Sequence, residues 1–263
     1  MTAALPHLSH IRRLLPWAAA VTLATPALSA HAQASDENPL PEASESRLAV
    51  GLGVASRQLP YAGADRKTTA LPLLYYENRW VKLAQHAFTP SQSVTAGLRL
   101  KYDGEGYEAD DSPRLGGMAD RKGGFWGGVM ASWRNPVAQL SAEWAADLSG
   151  HSKGSKLQLQ VDRRFGWGAA GFTPRVQAQW LDRKSVDYYY GVRPEEALPG
   201  RAAYAGQAAM LLEAGVRVDY ALTARHAVFL DLSATRLPDE IKRSPIVERS
   251  NSSRVALGYL YRF

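Results

Sequence analysis

The sequence predicts an all-β fold: a transmembrane antiparallel up-and-down β-barrel that follows a cleaved signal peptide. Three observations predict it. Apolar residues alternate with small or charged residues along most of the chain, the N-terminus has the layout of an export signal, and the last residue is an aromatic that ends an alternating strand. Side chains alternate between the two faces of a strand, so each predicted strand has one apolar and one polar face. Strands of this kind, with lipid outside and water inside, build outer-membrane barrels.

Residues 1–34 have the three parts of a secretory signal peptide. A basic pair at 12–13 precedes an apolar run at 14–24, which is far shorter than the roughly 20 residues of a membrane-spanning helix, and small residues follow. The small-x-small rule places cleavage after Ala34, with Ala32 as the alternative site. The chain is therefore expected to be exported.

Two further segments follow the predicted signal. Residues 35–46 are acidic, contain two prolines and lack periodicity, so they are predicted to form a flexible lead-in on the periplasmic side. Residues 47–263 are predicted to form one barrel domain. The net charge of +6 is a mild excess, and no basic run interleaves with aromatic residues, so nucleic acid is not an expected partner. The chain has no cysteine and hence no disulfide framework.

Eleven strand candidates follow one another from Leu48 to Phe263, separated by turns and loops. The predicted short turns include residues 135–136, 166–168 and 223–224; the long loops cover residues 104–122, 182–206 and 237–251, and a helical turn is expected within 193–197. Single-chain bacterial barrels have an even number of strands. Twelve strands is the preferred count and ten the alternative. The count is decided within residues 48–88, where Pro72 weakens one candidate and another is predicted over Arg79 to Phe88.

The polar faces of the predicted strands carry acids and bases deep inside the strands. We expect a lumen charge network formed by Arg99, Glu143, Arg175, Glu213, Arg217, Asp219 and Asp231. An unpaired buried charge is costly, so these groups are expected to pair with one another. Long paired side chains would fill a small barrel and argue against a wide pore.

The last strand candidate carries apolar or aromatic residues at every second position and ends the chain on one of them. Tyr259, Tyr261 and Phe263 form the aromatic end of this face. A terminal phenylalanine after alternating aromatics resembles the signal that the bacterial barrel-assembly machinery reads. The apolar faces are expected to contact outer-membrane lipid and lipopolysaccharide. A half-buried strand of a soluble sandwich would show the same alternation, but the export signal and the turn pattern favour the barrel.

No set of residues indicates catalysis, a cofactor or a metal. His151 lies in a loop with Asp147, Ser149 and Ser152, which are the residue types of a nucleophile and its base. A polar loop histidine accounts for the same pattern and is the preferred interpretation. The acid-rich loop 103–111 lacks the fixed spacing of a calcium loop and is interpreted as solvated. The protein is therefore predicted not to be an enzyme.

Several short motifs occur in a fixed order along the chain. They are residues 61–65, 71–73, 147–151, 190–192, 244–247 and 261–263. This ordered set resembles the MipA/OmpV family of outer-membrane proteins, although Ala64 stands where a serine is common in the family. The resemblance implies an outer-membrane barrel that acts as a scaffold between murein-cleaving and murein-synthesising enzymes, and it brings no catalytic residue. Other members imply the alternatives: a narrow porin-like channel for small solutes, or a surface adhesin that acts through the long loops.

Overall fold

A computed structural model describes residues 47–77 and 93–263. The predicted signal peptide, the lead-in and the strand candidate over Arg79 to Phe88 lie outside these residues. The strands are β1 Arg47–Gln58, β2 Arg66–Glu77, β3 Ser93–Asp103, β4 Gly124–Arg134, β5 Gln139–Asp147, β6 Ser155–Asp162, β7 Phe165–Trp167, β8 Ala170–Leu181, β9 Ala209–Ala221, β10 His226–Arg236 and β11 Asn251–Arg262. Two short helices, α1 Arg183–Tyr190 and α2 Asp239–Lys242, lie in loops. Within the described ranges, no helix has the length and apolar character needed to cross a membrane.

All strand pairings are antiparallel, and they form one sheet. The hydrogen-bonded order is β2-β1-β11-β10-β9-β8-β6-β5-β4-β3, and the short β7 pairs with β8 beyond the end of β6. Most strands that are consecutive in the chain are neighbours in the sheet, and β1 pairs with the terminal strand β11. The exceptions are β2 and β3, which lie at the two ends of the path, and β6 and β7, which both pair with β8. This is the meander expected of an up-and-down barrel.

Ten strands lie on this path in the described part of the chain. Residues 78–92, between β2 and β3, lie outside the described residues. The choice between twelve strands and ten therefore stays a prediction.

The outward faces of the strands are apolar and exposed, as the alternation predicts. Leu98 is 85% exposed and Leu52 is 72% exposed, and large apolar residues of nearly every strand share this outward position. A continuous exposed apolar surface of this extent is typical of a protein that contacts lipid.

Small residues on the inner face of β1 let it lie close to the neighbouring strand β11. An added Cβ at Gly51 of β1 would lie 2.1 Å from the carbonyl oxygen of Tyr259 in β11. A side chain at this position would therefore push β1 away from the terminal strand.

The turn predicted at residues 166–168 begins two residues too early. Phe165–Trp167 forms β7, and the chain reverses at Gly168, whose φ of 56° suits glycine. A separate interruption of the strand pairing falls at residues 163–164, opposite Pro174 of β8. Proline cannot donate a hydrogen bond to the ladder, so the pairing of β6 stops there and resumes in β7.

The helical turn expected within 193–197 is confirmed as a 3₁₀ turn, Pro194–Glu196. Helix α1, in contrast, was not expected from the sequence. Its N-cap is Asp182, whose side chain accepts a hydrogen bond from the backbone N–H of Ser185 at 2.8 Å.

Candidate functional site

The long loops converge on one end of the sheet and pack into a shared cap. The cap is defined by residues 59–65, 104–123, 182–208 and 237–250, which connect β1 to β2, β3 to β4, β8 to β9 and β10 to β11. Buried residues of all four loops form one apolar cluster with the strand ends beneath them: Leu59, Tyr61, Tyr107, Leu115, Met118, Trp126, Leu181, Val186, Tyr189, Tyr190, Val192, Leu211, Leu237, Ile241 and Ile246. The cap is therefore a small packed core that covers the end of the lumen.

A buried ion pair joins two loops of the cap. Arg121 Nη2 lies 2.8 Å from Glu196 Oε2, and the two side chains are 2% and 4% exposed. Arg121 Nε also donates to the carbonyl of Tyr188 at 2.7 Å. Burial alone would raise the pKa of Glu196. The hydrogen bonds that Glu196 accepts from Arg121 and from the amides of Arg193 and Ala119 outweigh it and lower the pKa below its ordinary value.

Arg201 ties the same loops together through backbone carbonyls. Its Nε and Nη2 atoms donate to the carbonyl of Glu196 at 3.1 and 2.8 Å, and Nη1 donates to the carbonyls of Arg114 and Gly116 at 2.8 and 3.0 Å. A planar guanidinium with several donors is suited to such bridging.

Tyrosines link the loops of the cap to one another. The rings of Tyr61 and Tyr107 meet edge to face with centroids 4.6 Å apart, and the hydroxyl of Tyr61 donates to the carbonyl of Tyr189 at 3.2 Å. Ser244 Oγ donates to the carbonyl of Tyr190 at 2.6 Å. Burial raises the pKa of Tyr107 to about 12, so its hydroxyl stays neutral.

Lys156 of β6 is buried directly under the cap. Its Nζ lies 2.7 Å from Asp103 Oδ2 and 2.9 Å from Glu105 Oε2, and it stands 4.1 Å from the centroid of the Trp126 ring. Two carboxylates and an aromatic face together compensate its buried charge. The alternation places Lys156 on the lumen face, but the sequence alone does not distinguish it from a solvated lysine.

Five of the predicted lumen charges form two separate ion-pair clusters. Arg99 Nε is 3.2 Å from Glu143 Oε2, and Lys101 Nζ is 2.6 Å from Glu143 Oε1. On the opposite wall, both Nη atoms of Arg175 contact the carboxylate of Asp231, at 2.8 and 2.9 Å. Arg175 Nη2 also reaches Glu213 Oε1 at 3.3 Å.

The other two predicted lumen charges find different partners. The carboxylate of Asp219 is held by both Nη atoms of Arg164, at 2.5 and 2.6 Å. Arg164 precedes β7 and was not a sequence candidate. Arg217 places its guanidinium 3.8 Å from the centroid of the Phe229 ring, a cation–π contact.

A cavity of about 130 Å³, lined by both polar and aromatic side chains, lies between the cap and the inner faces of β1 and β8 to β11. Tyr61, Tyr189 and Tyr190 of the cap face it from one side. Strand residues face it from the other: Arg57, Gln177, Gln179, Leu211, Glu213, Ser233, Thr235, Ser252, Ser253 and Arg254. A second cavity of about 70 Å³ adjoins Arg99 and Glu143.

The predicted assembly-signal residues lie at the end of β11 on the outward face. Tyr259 pairs in register with Leu52 of β1 and with Val228 of β10. Tyr261 and Phe263 meet edge to face with ring centroids 4.9 Å apart. Phe263 lies beyond the last paired residue and is 72% exposed. Recognition by the assembly machinery stays a prediction.

His151 and Asp147 both stabilise the short loop between β5 and β6. Asp147 accepts backbone hydrogen bonds from Ser149, Ser152 and Lys153 at 2.6–3.1 Å. His151 Nδ1 lies 2.9 Å from the carbonyl oxygen of Gly123. Both groups thus serve loop structure. In the described ranges, His, Asp and Glu form no group of three that could hold a metal ion.

The comparisons with known proteins decide the family. The family model described as "MltA-interacting protein MipA" matches residues 50–263. The chain belongs to the MipA family. The match covers the whole sheet and the cap, so the family assignment expected from the ordered motifs is confirmed.

Several relatives are named as outer-membrane proteins. YiaT of Escherichia coli (strain K12), which is named as an outer membrane protein, is 28% identical over 228 residues, covering 84% of this chain and 93% of that protein. The MltA-interacting protein of the same strain is 26% identical over 230 residues, covering 83% and 91%. OmpV of Vibrio cholerae is 26% identical over 170 residues, covering 65% and 66%. This MipA-family chain is therefore an outer-membrane protein.

Among solved structures, an outer-membrane channel from Pseudomonas putida F1 aligns with 83% of this chain and 95% of its own length. The sequence identity is 13% and the TM-score is 0.42.

Proposed function

We propose that this MipA-family barrel is a non-enzymatic scaffold that holds murein-synthesising and murein-cleaving enzymes at the periplasmic face of the outer membrane. The observation that carries the proposal is the packed cap above a lumen crossed by ion pairs. A barrel filled in this way offers surfaces for binding rather than a wide path for solutes. The name of one relative, the MltA-interacting protein, supports a partner of this class.

Three features of the described residues argue against a wide channel. Four loops share the apolar core of the cap. Under the cap, Lys156 is bound to the carboxylates of Asp103 and Glu105. Arg175 is bound to two more in the lumen. Opening a path would require breaking these contacts, and a buried charge that loses its counter-charge is costly.

The environment of His151 argues against hydrolysis. A catalytic histidine needs a nucleophile on one ring nitrogen and an orienting group on the other. His151 instead contacts a backbone carbonyl through Nδ1, and the carboxylate of Asp147 is occupied by the backbone of its own loop.

The scaffold would use the end of the barrel opposite the cap. Short turns lie at this end, as periplasmic turns do in outer-membrane barrels. In the turn 135–138, the side chain of Asn135 accepts the amides of Val137 and Ala138 at 2.8 and 2.9 Å, which leaves Val137 projecting. Val137 is 67% exposed, and Leu222 of the turn 222–225 is 53% exposed. These two apolar tips, with the lead-in 35–46, form the proposed docking surface.

Site-specific photo-crosslinking in intact cells tests the proposal. A photoreactive residue at Val137 or Leu222 should yield adducts that contain a murein transglycosylase or a murein synthase, identified by mass spectrometry. The matched control is Leu198, an exposed leucine of the cap. Adducts with murein enzymes should be missing there. Cell-surface or host-protein adducts from Leu198, with none from the turns, would overturn the scaffold and support the adhesin.

A further inference from the structure

We propose that the cavity under the cap binds a small hydroxylated organic anion, such as a sugar acid or a sugar phosphate. The site lies on the lumen face, between the cap and strands β1 and β8 to β11. It is independent of the proposed scaffold surface, which lies at the other end of the barrel.

Two arginines stand side by side in the wall of this cavity. Arg57 of β1 and Arg254 of β11 are paired in register, and both line the cavity. Residues directly opposite in an antiparallel pair have Cβ atoms about 4.5–5.5 Å apart, and like charges in this arrangement repel each other. An anion between the two guanidinium groups would remove the repulsion.

The two arginines differ in how their charges are balanced. Arg57 donates to the carbonyl of Gly104 at 3.3 Å and lies 3.7 Å from Glu105 Oε1. Arg254 makes no side-chain hydrogen bond or ion pair with the residues that the structure describes. Its charge is therefore available to a ligand in the cavity.

The acidic residues of the cavity wall are already engaged. Glu105 Oε2 is bound by Lys156 at 2.9 Å. Glu213 is bound by Arg175 at 3.3 Å and accepts the hydroxyl of Thr235 at 3.1 Å. With the carboxylates paired and Arg254 unpaired, the cavity selects a negative ligand.

The remaining lining suits a ligand with several hydroxyl groups. Amides and hydroxyls from the strands supply both donors and acceptors: Gln177, Gln179, Ser233, Thr235 and Ser252. Aromatic rings of the cap lie above them. A single water needs about 10–15 Å³ of such space, so about 130 Å³ accommodates a small organic molecule.

Calorimetric titration of the purified full-length barrel in detergent tests the site. The probes are inorganic phosphate and glucuronate, with glucose as the neutral comparison. Both anions should bind, and glucose should bind at least about tenfold more weakly. Arg254→Gln should weaken glucuronate binding about tenfold or more, since it removes a charge-assisted contact. The matched control is Arg236→Gln, an exposed arginine on the outward face near the same end of β10, and it should bind as wild type does.

Thermal unfolding separates binding from a structural role. Without ligand, Arg254→Gln should raise the unfolding temperature, because it removes the repulsion with Arg57. A purely structural arginine would lower it. Arg57→Gln provides a second variant with the same expected loss of glucuronate binding. Failure of wild type to bind either anion, equal binding of glucose, or unchanged affinity in Arg254→Gln would overturn the proposal.

Discussion

At the residue scale, the buried pair of Arg121 and Glu196 joins two loops of the cap. Glu196→Gln leaves the guanidinium of Arg121 buried without a counter-charge, because the pair is almost wholly enclosed. Removing one partner of a buried pair typically costs about 3–5 kcal/mol. We expect faster hydrogen exchange throughout loops 104–123 and 182–208. Glu195→Gln, at the exposed neighbour, should leave the exchange rates unchanged. Equal exchange in both variants would contradict the importance of the pair.

The same carboxylate makes the cap sensitive to acid. Folding lowers the pKa of Glu196, so its stabilising contribution is fully present above the unfolded value of about 4.3. The contribution is lost as the pH falls through the lower value of the folded state. Hydrogen exchange measured between about pH 3 and pH 6 should show that the cap amides of the wild type lose protection as the pH falls. The protection in Glu196→Gln should lack this pH dependence. Parallel pH profiles for the two proteins would count against the sign of the shift.

At the scale of the element, introducing the same charge at two adjacent residues of β8 should destabilise the barrel to very different extents. Val176 lies on the outward face and is 61% exposed, whereas Gln177 faces the lumen opposite Glu213. Val176→Arg places a charge in lipid, at a cost of about 2–4 kcal/mol near the midplane. Gln177→Arg places it beside a carboxylate in a polar lumen and should cost much less. Urea unfolding in lipid vesicles measures both, and similar losses would mean that the two faces are assigned incorrectly.

The end of β11 should matter for assembly more than for final stability. Phe263 is exposed, follows the last paired residue and contacts the ring of Tyr261. Deleting it should reduce the membrane-inserted fraction in cells, seen as loss of the heat-modifiable band on detergent gels. The urea midpoint of the refolded protein should hardly change. An equally large loss of stability in vitro would indicate packing rather than an assembly signal.

At the scale of the whole molecule, the sheet could be predicted from the sequence and the cap could not. The alternation that ends in β11 follows directly from an apolar outside and a polar inside, and it locates nearly every strand. The core of the cap consists of isolated apolar residues in polar loops, such as Leu115, Ile241 and Ile246, and these have no periodicity to read. Arg121 and Glu196 lie 75 residues apart, and only the folded loops bring them together.

The partners of the lumen charges illustrate the same limit. The strand face of Arg175 and Asp231 follows from the alternation, but the direct contact depends on strand register across β8, β9 and β10. Arg164 could not be anticipated, because it reaches Asp219 from the irregular link between β6 and β7. The break that creates this link lies opposite Pro174 in the neighbouring strand β8, and the sequence of residues 163–164 itself does not indicate it.

We propose that the cap and the lumen ion pairs act as two successive barriers to solutes, and conductance measurements can separate their contributions. In planar bilayers, the purified wild type should show little steady conductance. Replacing residues 104–123 with a short Gly-Ser turn removes Tyr107, Leu115 and Arg121 from the cap, together with Glu105, a partner of Lys156. This variant should conduct more, but less than an open porin, because Arg175 still binds Asp231 and Glu213 within the lumen. Adding Arg175→Gln should raise the conductance further. A large steady conductance in the wild type would refute the filled lumen and favour the channel over the scaffold.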